Sequence, residues 1–217
     1  MARPRKSAIY KRMRRLGPEI TDTLSGLIAA SARSGDFAKP RPVERWDPPY
    51  CGEIDMVICA DGTWFYNGSP IGRAALLRLF ASILRKDQDR YVLVTPVEKV
   101  GITVEDAPFL ATAMRAESTS EGETFVFETN VGDVTRAGLS HPLRFERGAH
   151  DGIKPYVHVR GALWARLTRS LAHDLVGLAV EREDAGENWL GVASGGAFFP
   201  MCKASEMLAS DTVEMGA

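Results

Sequence analysis

Asp61-Gly62 lies between two runs of alternating apolar residues, and this dipeptide limits the fold more than any other feature of the chain. Before it, Ile54, Met56 and Ile58 alternate with Asp55, Val57 and Cys59; after it come Trp64, Phe65 and Tyr66. Period-two patterns flanking Asp-Gly predict a β-hairpin, because a two-residue type I′ turn needs positive φ at both centres. A loop of that length pairs Ile58 with Phe65 and Cys59 with Trp64. One face then carries Ile54, Met56, Ile58 and Phe65; the other carries Val57, Trp64 and Tyr66. Ser69-Pro70 follows as a helix start, with Ser as N-cap and Pro in the first helical position. The expected helix runs to about Arg85 and buries Leu76, Phe80, Ile83 and Leu84.

The rest of the chain alternates between the same signals. Strands are predicted at Tyr91-Val94, Ile102-Val104 and Phe109-Ala113, with a polar turn over 117–123. Phe125 to Ala137 reads as a second hairpin, around Gly132-Asp133, and Leu143-Glu146 and Pro155-Arg160 as strands. Leu163, Leu167, Leu171, Leu175 and Leu178 predict a long helix over about 162–182. Trp189-Val192 and Ala197-Phe199 close the pattern as strands. The order hairpin, helix, strand therefore occurs twice. Upstream, Ile20, Leu24, Leu27 and Ile28 predict a helix over 18–33, and Lys39-Pro40-Arg41-Pro42 an extended linker. The predicted organisation is a basic arm, helix and Pro-rich linker over 1–44, a first β/α motif over 45–120, a second over 121–202, and a tail over 203–217.

Charge divides the chain unevenly. Arg3, Arg5, Lys6, Lys11, Arg12, Arg14 and Arg15 give residues 1–15 a charge of +7 with no acid. The whole chain is −1, so residues 16–217 carry −8. An acidic body repels nucleic acid, which leaves only the arm to attract phosphate or an anionic surface. Three cysteines without a Cys-x-x-Cys pair fit reduced thiols, no apolar run reaches membrane-spanning length, and a cytoplasmic location is expected.

Chemistry has few footholds. His141, His150, His158 and His173 lack zinc-site spacing, and no Walker motif, Gly-x-Gly-x-x-Gly or Gly-x-Ser-x-Gly occurs. Neither a metal nor a cofactor is expected. Ser194-Gly195-Gly196 reads as a tight turn or bulge rather than an oxyanion loop. Tyr156, His158 and Arg160 share one strand face, opposite Val157 and Val159, and are read as an exposed polar face that could hold an anion. Glu98, Glu105 and Asp106 gather three carboxylates in nine residues, suited to acid–base work, to a divalent ion or to surface ion pairing. Trp64, Tyr66 and Arg73 are the side chains that turn and cap rules do not require. With Glu98 and Asp106 they form the candidate ligand- or partner-binding set, placed in a groove between the first helix and the strands after it.

Trp46-Asp47-Pro48, Cys51-Gly52-Glu53-Ile54-Asp55, Asp61 to Tyr66, Pro70-Ile71-Gly72-Arg73, Leu79-Phe80, Thr95 to Val100, Val104 to Phe109, Thr129-Asn130 and Ser194-Gly195-Gly196 stand in one order. In that order the chain resembles the bacterial domain-of-unknown-function family 1285 over about residues 45–200. The resemblance implies an α+β fold of two similar β-plus-helix motifs and a signalling or regulatory role, and brings no catalytic residue set. The combined expectation is an α+β protein with mostly antiparallel strands, two β-hairpin-plus-helix motifs around one shared core, and an N-terminal helix before them. Its function is expected to be binding or regulation without catalysis, with a protein or small molecule as partner and room for self-association. The alternatives are a hydrolase pairing Glu98 or Asp106 with His158, and a nucleic-acid accessory protein acting through the arm.

Overall fold

The computed structural model describes residues 41–120, 122–148, 152–184 and 186–205. The basic arm, the helix expected over 18–33 and most of the expected tail lie outside the described residues. The chain divides into two compact units, Met1–Glu105 and Asp106–Ala217.

In the first unit a 3-10 turn at Val43–Arg45 precedes strands β1 (Tyr50–Ile58), β2 (Trp64–Tyr66) and β3 (Ser69–Pro70). Helix α1 (Ala74–Ser82) follows, then β4 (Leu84–Asp87), β5 (Arg90–Val94) and β6 (Lys99–Val104). They form one sheet in the order β3-β2-β1-β6-β5-β4. Each half is an antiparallel meander, and β1 joins β6 in parallel.

The Asp61-Gly62 hairpin forms, but with a loop of three residues instead of two. The Cys59 N–H donates to Thr63 O at 2.9 Å and the Gly62 N–H to Cys59 O at 2.9 Å. Asp61 Oδ1 accepts from the Thr63 N–H at 2.8 Å. Only Gly62, at φ +83°, takes the left-handed conformation, as a turn closed by a glycine bulge requires. The extra residue shifts the register, so Ile58 pairs with Trp64 and Val57 with Phe65. A one-residue slip exchanges sheet faces. Trp64 thereby joins Ile54, Met56 and Ile58, all buried, while Val57 and Phe65 are half-buried.

The type I′ signal acts six residues later. Asn67 and Gly68 have φ of 47° and 74°, and Tyr66 pairs with Ser69 across them. This tight turn makes Ser69-Pro70 an edge strand, where a proline leaves no inner ladder position unfilled. The expected Ser69 cap is therefore wrong: α1 starts at Ala74 after Arg73, which makes no side-chain cap. It ends at Ser82, and Leu84 to Asp87 pair with β5. Leu79, Phe80 and Ala81 of α1 are buried. Full burial of a phenylalanine such as Phe80 contributes roughly 1.5–3 kcal/mol.

In the second unit, β7 (Phe109–Thr119), β8 (Gly122–Thr129), β9 (Val134–Arg136), β10 (Leu143–Arg147), β11 (Ile153–Arg160) and β12 (Leu163–Leu167) build a second sheet. Its order is β10-β11-β12-β7-β8-β9, with β12 parallel to β7. Counted from the first strand of each unit, the two orders are identical. The β8–β9 turn repeats the three-residue form: Gly132 stands at φ +90°, and Thr129 accepts from the Gly132 N–H at 2.9 Å. Thr135 Oγ1 donates to His158 O at 3.1 Å, tying β9 to β11 although they are not neighbours in the order, so the sheet is curled.

The leucine stripe over 162–182 does not make one helix. Leu163 and Leu167 belong to β12, whose burial alternates strictly; helix α2 covers only Arg169–Val176, and Val180–Asp184 forms β13. A spacing of four satisfies both a strand face and one helical turn, and Ala165 completes the strand reading. Thr168 marks the boundary, its Oγ1 accepting from the Leu171 N–H at 3.4 Å. β13 pairs with β14 (Glu187–Ser194) and β14 with β15 (Ala197–Lys203) as a three-stranded antiparallel sheet. The repeated motif is thus a pair of meanders, not hairpin plus helix. The helix lies between the meanders in the first unit and after them in the second.

Candidate functional site

Of the five residues singled out from the sequence, Trp64, Tyr66, Arg73 and Glu98 lie in the first unit and Asp106 in the second. Trp64 is 1% exposed, and its Nε1 has no hydrogen-bond partner. Tyr66 is half-buried on β2, and Arg73 is exposed just before α1. Glu98 sits in the β5–β6 turn, where its N–H donates to Thr95 Oγ1 at 3.1 Å and its carbonyl accepts from the Thr95 N–H at 2.9 Å. Lys99 reaches Asp47 (3.4 Å) and Asp87 (3.3 Å). Asp106 belongs to the second unit and is engaged there.

Around Asp106 the second sheet builds a cross-strand row. Arg144 pairs with Tyr156, Tyr156 with Arg166, and Arg166 with Leu110, so β10, β11, β12 and β7 place these residues side by side. The Tyr156 hydroxyl donates to Asp106 Oδ1 at 2.7 Å, and Arg166 Nη1 donates to Oδ2 at 3.0 Å. Lys154 Nζ stands 4.0 Å from Oδ2. Burial, then the hydrogen bond to Asp106, pushes the Tyr156 phenol far above its ordinary range. Tyr156 therefore stays a neutral donor. Above it lies the Arg144 guanidinium, 4.7 Å from the Tyr156 ring centroid and 4.5 Å from that of Trp164. Its side chain is 45% exposed, and Glu146 Oε1 is 3.2 Å away. Two aromatic rings thus lie against a cation whose side chain still meets solvent.

The next pair along the same face is His158 opposite Trp164. His158 Nδ1 is 3.3 Å from His141 Nδ1, and Nε2 is 2.7 Å from Gly161 O. The expected open trio of Tyr156, His158 and Arg160 does not form. Tyr156 is 1% exposed, and Arg160 donates to Asp133 Oδ2 at 2.6 Å and lies over Phe109.

The remaining suspected motifs are structural. Ser194 Oγ is buried, accepting from the Phe125 N–H and donating to Ala137 O, each at 2.9 Å. Gly195 and Gly196, both at positive φ, turn β14 into β15. Burial first, then the Glu105 and Asp61 carboxylates, pushes the Cys59 thiol up, which opposes its use as a nucleophile. Among the described residues no group of three or more His, Cys, Asp and Glu is arranged to hold a metal. No helix among them is long and apolar enough to cross a membrane.

Sequence reasoning missed Arg144, Trp164 and Arg166, because strand register brings them together. One signal was available. The fourth strands of the two sheets begin Leu84-Arg85-Lys86-Asp87 and Leu143-Arg144-Phe145-Glu146, each an arginine paired with the acid two residues on. In the first sheet Arg85 is buried. Its Nη1 donates to Val43 O (2.6 Å) and Trp46 O (2.7 Å), and its Nε and Nη2 grip Asp87 at 2.6 and 2.9 Å.

Comparison with known proteins supplies the family. Residues 41–107 match the N-terminal domain of unknown function DUF1285, and residues 108–201 match the C-terminal domain of the same family. A crystal structure of a DUF1285 family protein from Silicibacter pomeroyi DSS-3 is 43% identical, with a TM-score of 0.74 over 84% of this chain and 98% of that one. Another, from Shewanella baltica OS155, is 30% identical over 56% of this chain and 90% of that one, with a TM-score of 0.46. No curated protein matches. With both family domains matched in order and one relative aligned along nearly its whole length, the chain belongs to the DUF1285 family.

Proposed function

We propose that this protein is a non-catalytic binding module of regulatory type, which takes an anionic ligand on the Arg144–Tyr156–Arg166 face of its second sheet. The observation that carries the reading is the contrast between equivalent arginines. Arg85 uses its donors inside the protein, whereas Arg144 lies over Tyr156 and Trp164 with its side chain 45% exposed. A guanidinium fixed in a plane matches a carboxylate or phosphate through two parallel N–H donors. Glu146 is half-exposed itself, so an incoming anion can replace it.

The hydrolase alternative finds no support in this geometry. Both oxygens of Asp106 accept from Tyr156 and Arg166, while the nitrogens of His158 face His141 and Gly161. An acid–base pair needs hydrogen-bond reach between its members or through a water.

Calorimetric titration of the full chain with inorganic phosphate and with citrate, at low ionic strength, tests the reading. Saturable binding of at least one of them is expected, lost in Arg144→Ala and strongly weakened in Arg144→Lys, which lacks the planar fork. Equal binding by wild type and Arg144→Ala, or no binding of either anion, overturns the assignment.

A further inference from the structure

We propose that His141 and His158 form a two-imidazole site for a divalent transition-metal ion of the zinc type. His158 Nε2 lies 2.7 Å from the Gly161 carbonyl oxygen, so Nε2 is the donor there, and in the neutral ring Nδ1 keeps its lone pair. A backbone carbonyl on the far nitrogen is the usual partner of a metal-ligating histidine. That Nδ1 shares a hydrogen bond with His141 Nδ1 at 3.3 Å, with ring centroids 5.3 Å apart and planes 30° from each other. Two imidazoles on a tetrahedral ion, with metal–nitrogen bonds of about 2.05 Å, place their nitrogens about 3.3 Å and their centroids about 5.2 Å apart. A head-on N–H···N contact of the same length would separate the centroids by about 5.6 Å. The observed pair is closer to the chelating geometry.

The backbone of both histidines is held before any ion arrives. His141 is fixed by reciprocal backbone hydrogen bonds with Gly138, each 3.1 Å, and the His158 N–H donates to Pro142 O at 3.0 Å. The Trp164 ring meets His158 edge-on, with centroids 5.2 Å apart. Glu146 partners Arg144 on this face, which offsets the repulsion that cation exerts on a second one. Both histidines are half-buried, which leaves water to fill the remaining coordination positions. The proposal does not rest on anion binding, since the metal alone is the probe.

Titration of the full chain with Co²⁺, followed by visible absorption, and with Zn²⁺, followed by calorimetry, tests it. One equivalent is expected to bind, without the near-ultraviolet thiolate band that Cys51, Cys59 or Cys202 would add. Affinity should fall at least about tenfold in both His141→Ala and His158→Ala. It should be unchanged in His173→Ala, whose side chain is 91% exposed on α2. Should either alanine variant fail to fold, imidazole ¹H–¹⁵N spectra of the wild type replace it, with Zn²⁺ shifting Nδ1 of His141 and His158. No binding, binding that survives in both variants, a thiolate spectrum, or unshifted Nδ1 resonances overturn the proposal.

Discussion

The two sheets share a strand order and differ in what their corresponding rows do. In the first, the row Arg85–Val92–Gly101–Glu53 has a buried valine second and a glycine third. A Cβ at Gly101 would meet Tyr50 Oη at 2.7 Å, so the tyrosine hydroxyl occupies that space. In the second, the row reads Arg144–Tyr156–Arg166–Leu110, and the polar side chains themselves fill the face. One scaffold, repeated, supports a row whose buried arginine clamps its own chain and a row whose arginine is displayed. The difference teaches that a duplicated fold can keep its pairing while its side chains change duty.

The sharpest way to break that comparison is to remove both arginines in turn. Arg85→Ala leaves the Val43 and Trp46 carbonyls and the Asp87 carboxylate without their donor. It should cost about 3–5 kcal/mol, as for a broken buried pair. Arg144→Ala removes a half-exposed pair and should cost about 1 kcal/mol or less. Denaturant unfolding of both variants reads the difference, and equal losses would show that the two arginines have the same duty.

Tyr156→Phe sharpens the contrast with Val92. The ring stays beneath Arg144, but Asp106 Oδ1 loses its 2.7 Å donor. A loss of roughly 1–3 kcal/mol is expected, seen as a lower unfolding midpoint. An unchanged midpoint would make the hydroxyl a bystander.

The smallest effect is expected from pH. The hydrogen bond from Arg85, then its charge and that of Lys99, holds Asp87 below its ordinary value of 3.8 against the opposing effect of burial. Because the folded value is the lower one, this contribution is fully present above 3.8 and is lost as pH falls through the folded value. Asp87 is 30% exposed, so solvent screening keeps the effect modest. Thermal unfolding between pH 5 and pH 2 should show this acid loss in the wild type and a shallower one in Arg85→Ala. Parallel curves would remove Asp87 from the account.

Much of the strand content was legible because alternation is a local property. The β1 and β11 segments announce themselves by alternation, and β5 by a continuous apolar run. The errors arose where two rules fit the same residues. Leucines four apart served strand and helix alike, and Ser69-Pro70 fitted both a helix cap and an edge strand until Asn67-Gly68 decided it. Trp64 looked surplus to the local rules because a two-residue loop was assumed; with three, it is core. Asp106 was identified alone, while its partners Tyr156 and Arg166 lie 50 and 60 residues away and only pairing register connects them.

The parallel joints β1–β6 and β7–β12 have a consequence for biosynthesis. Each joins the opening strand of a six-stranded sheet to that sheet's closing strand, at its middle. A ribosome emits these partners far apart in time, so each half-sheet waits as an uncapped meander until the last strand emerges. Pairing that depends on distant segments is slow and exposes unpaired edges meanwhile. For the second unit that wait ends at Leu167, which makes the strand beginning at Leu163 the latch of its nascent fold.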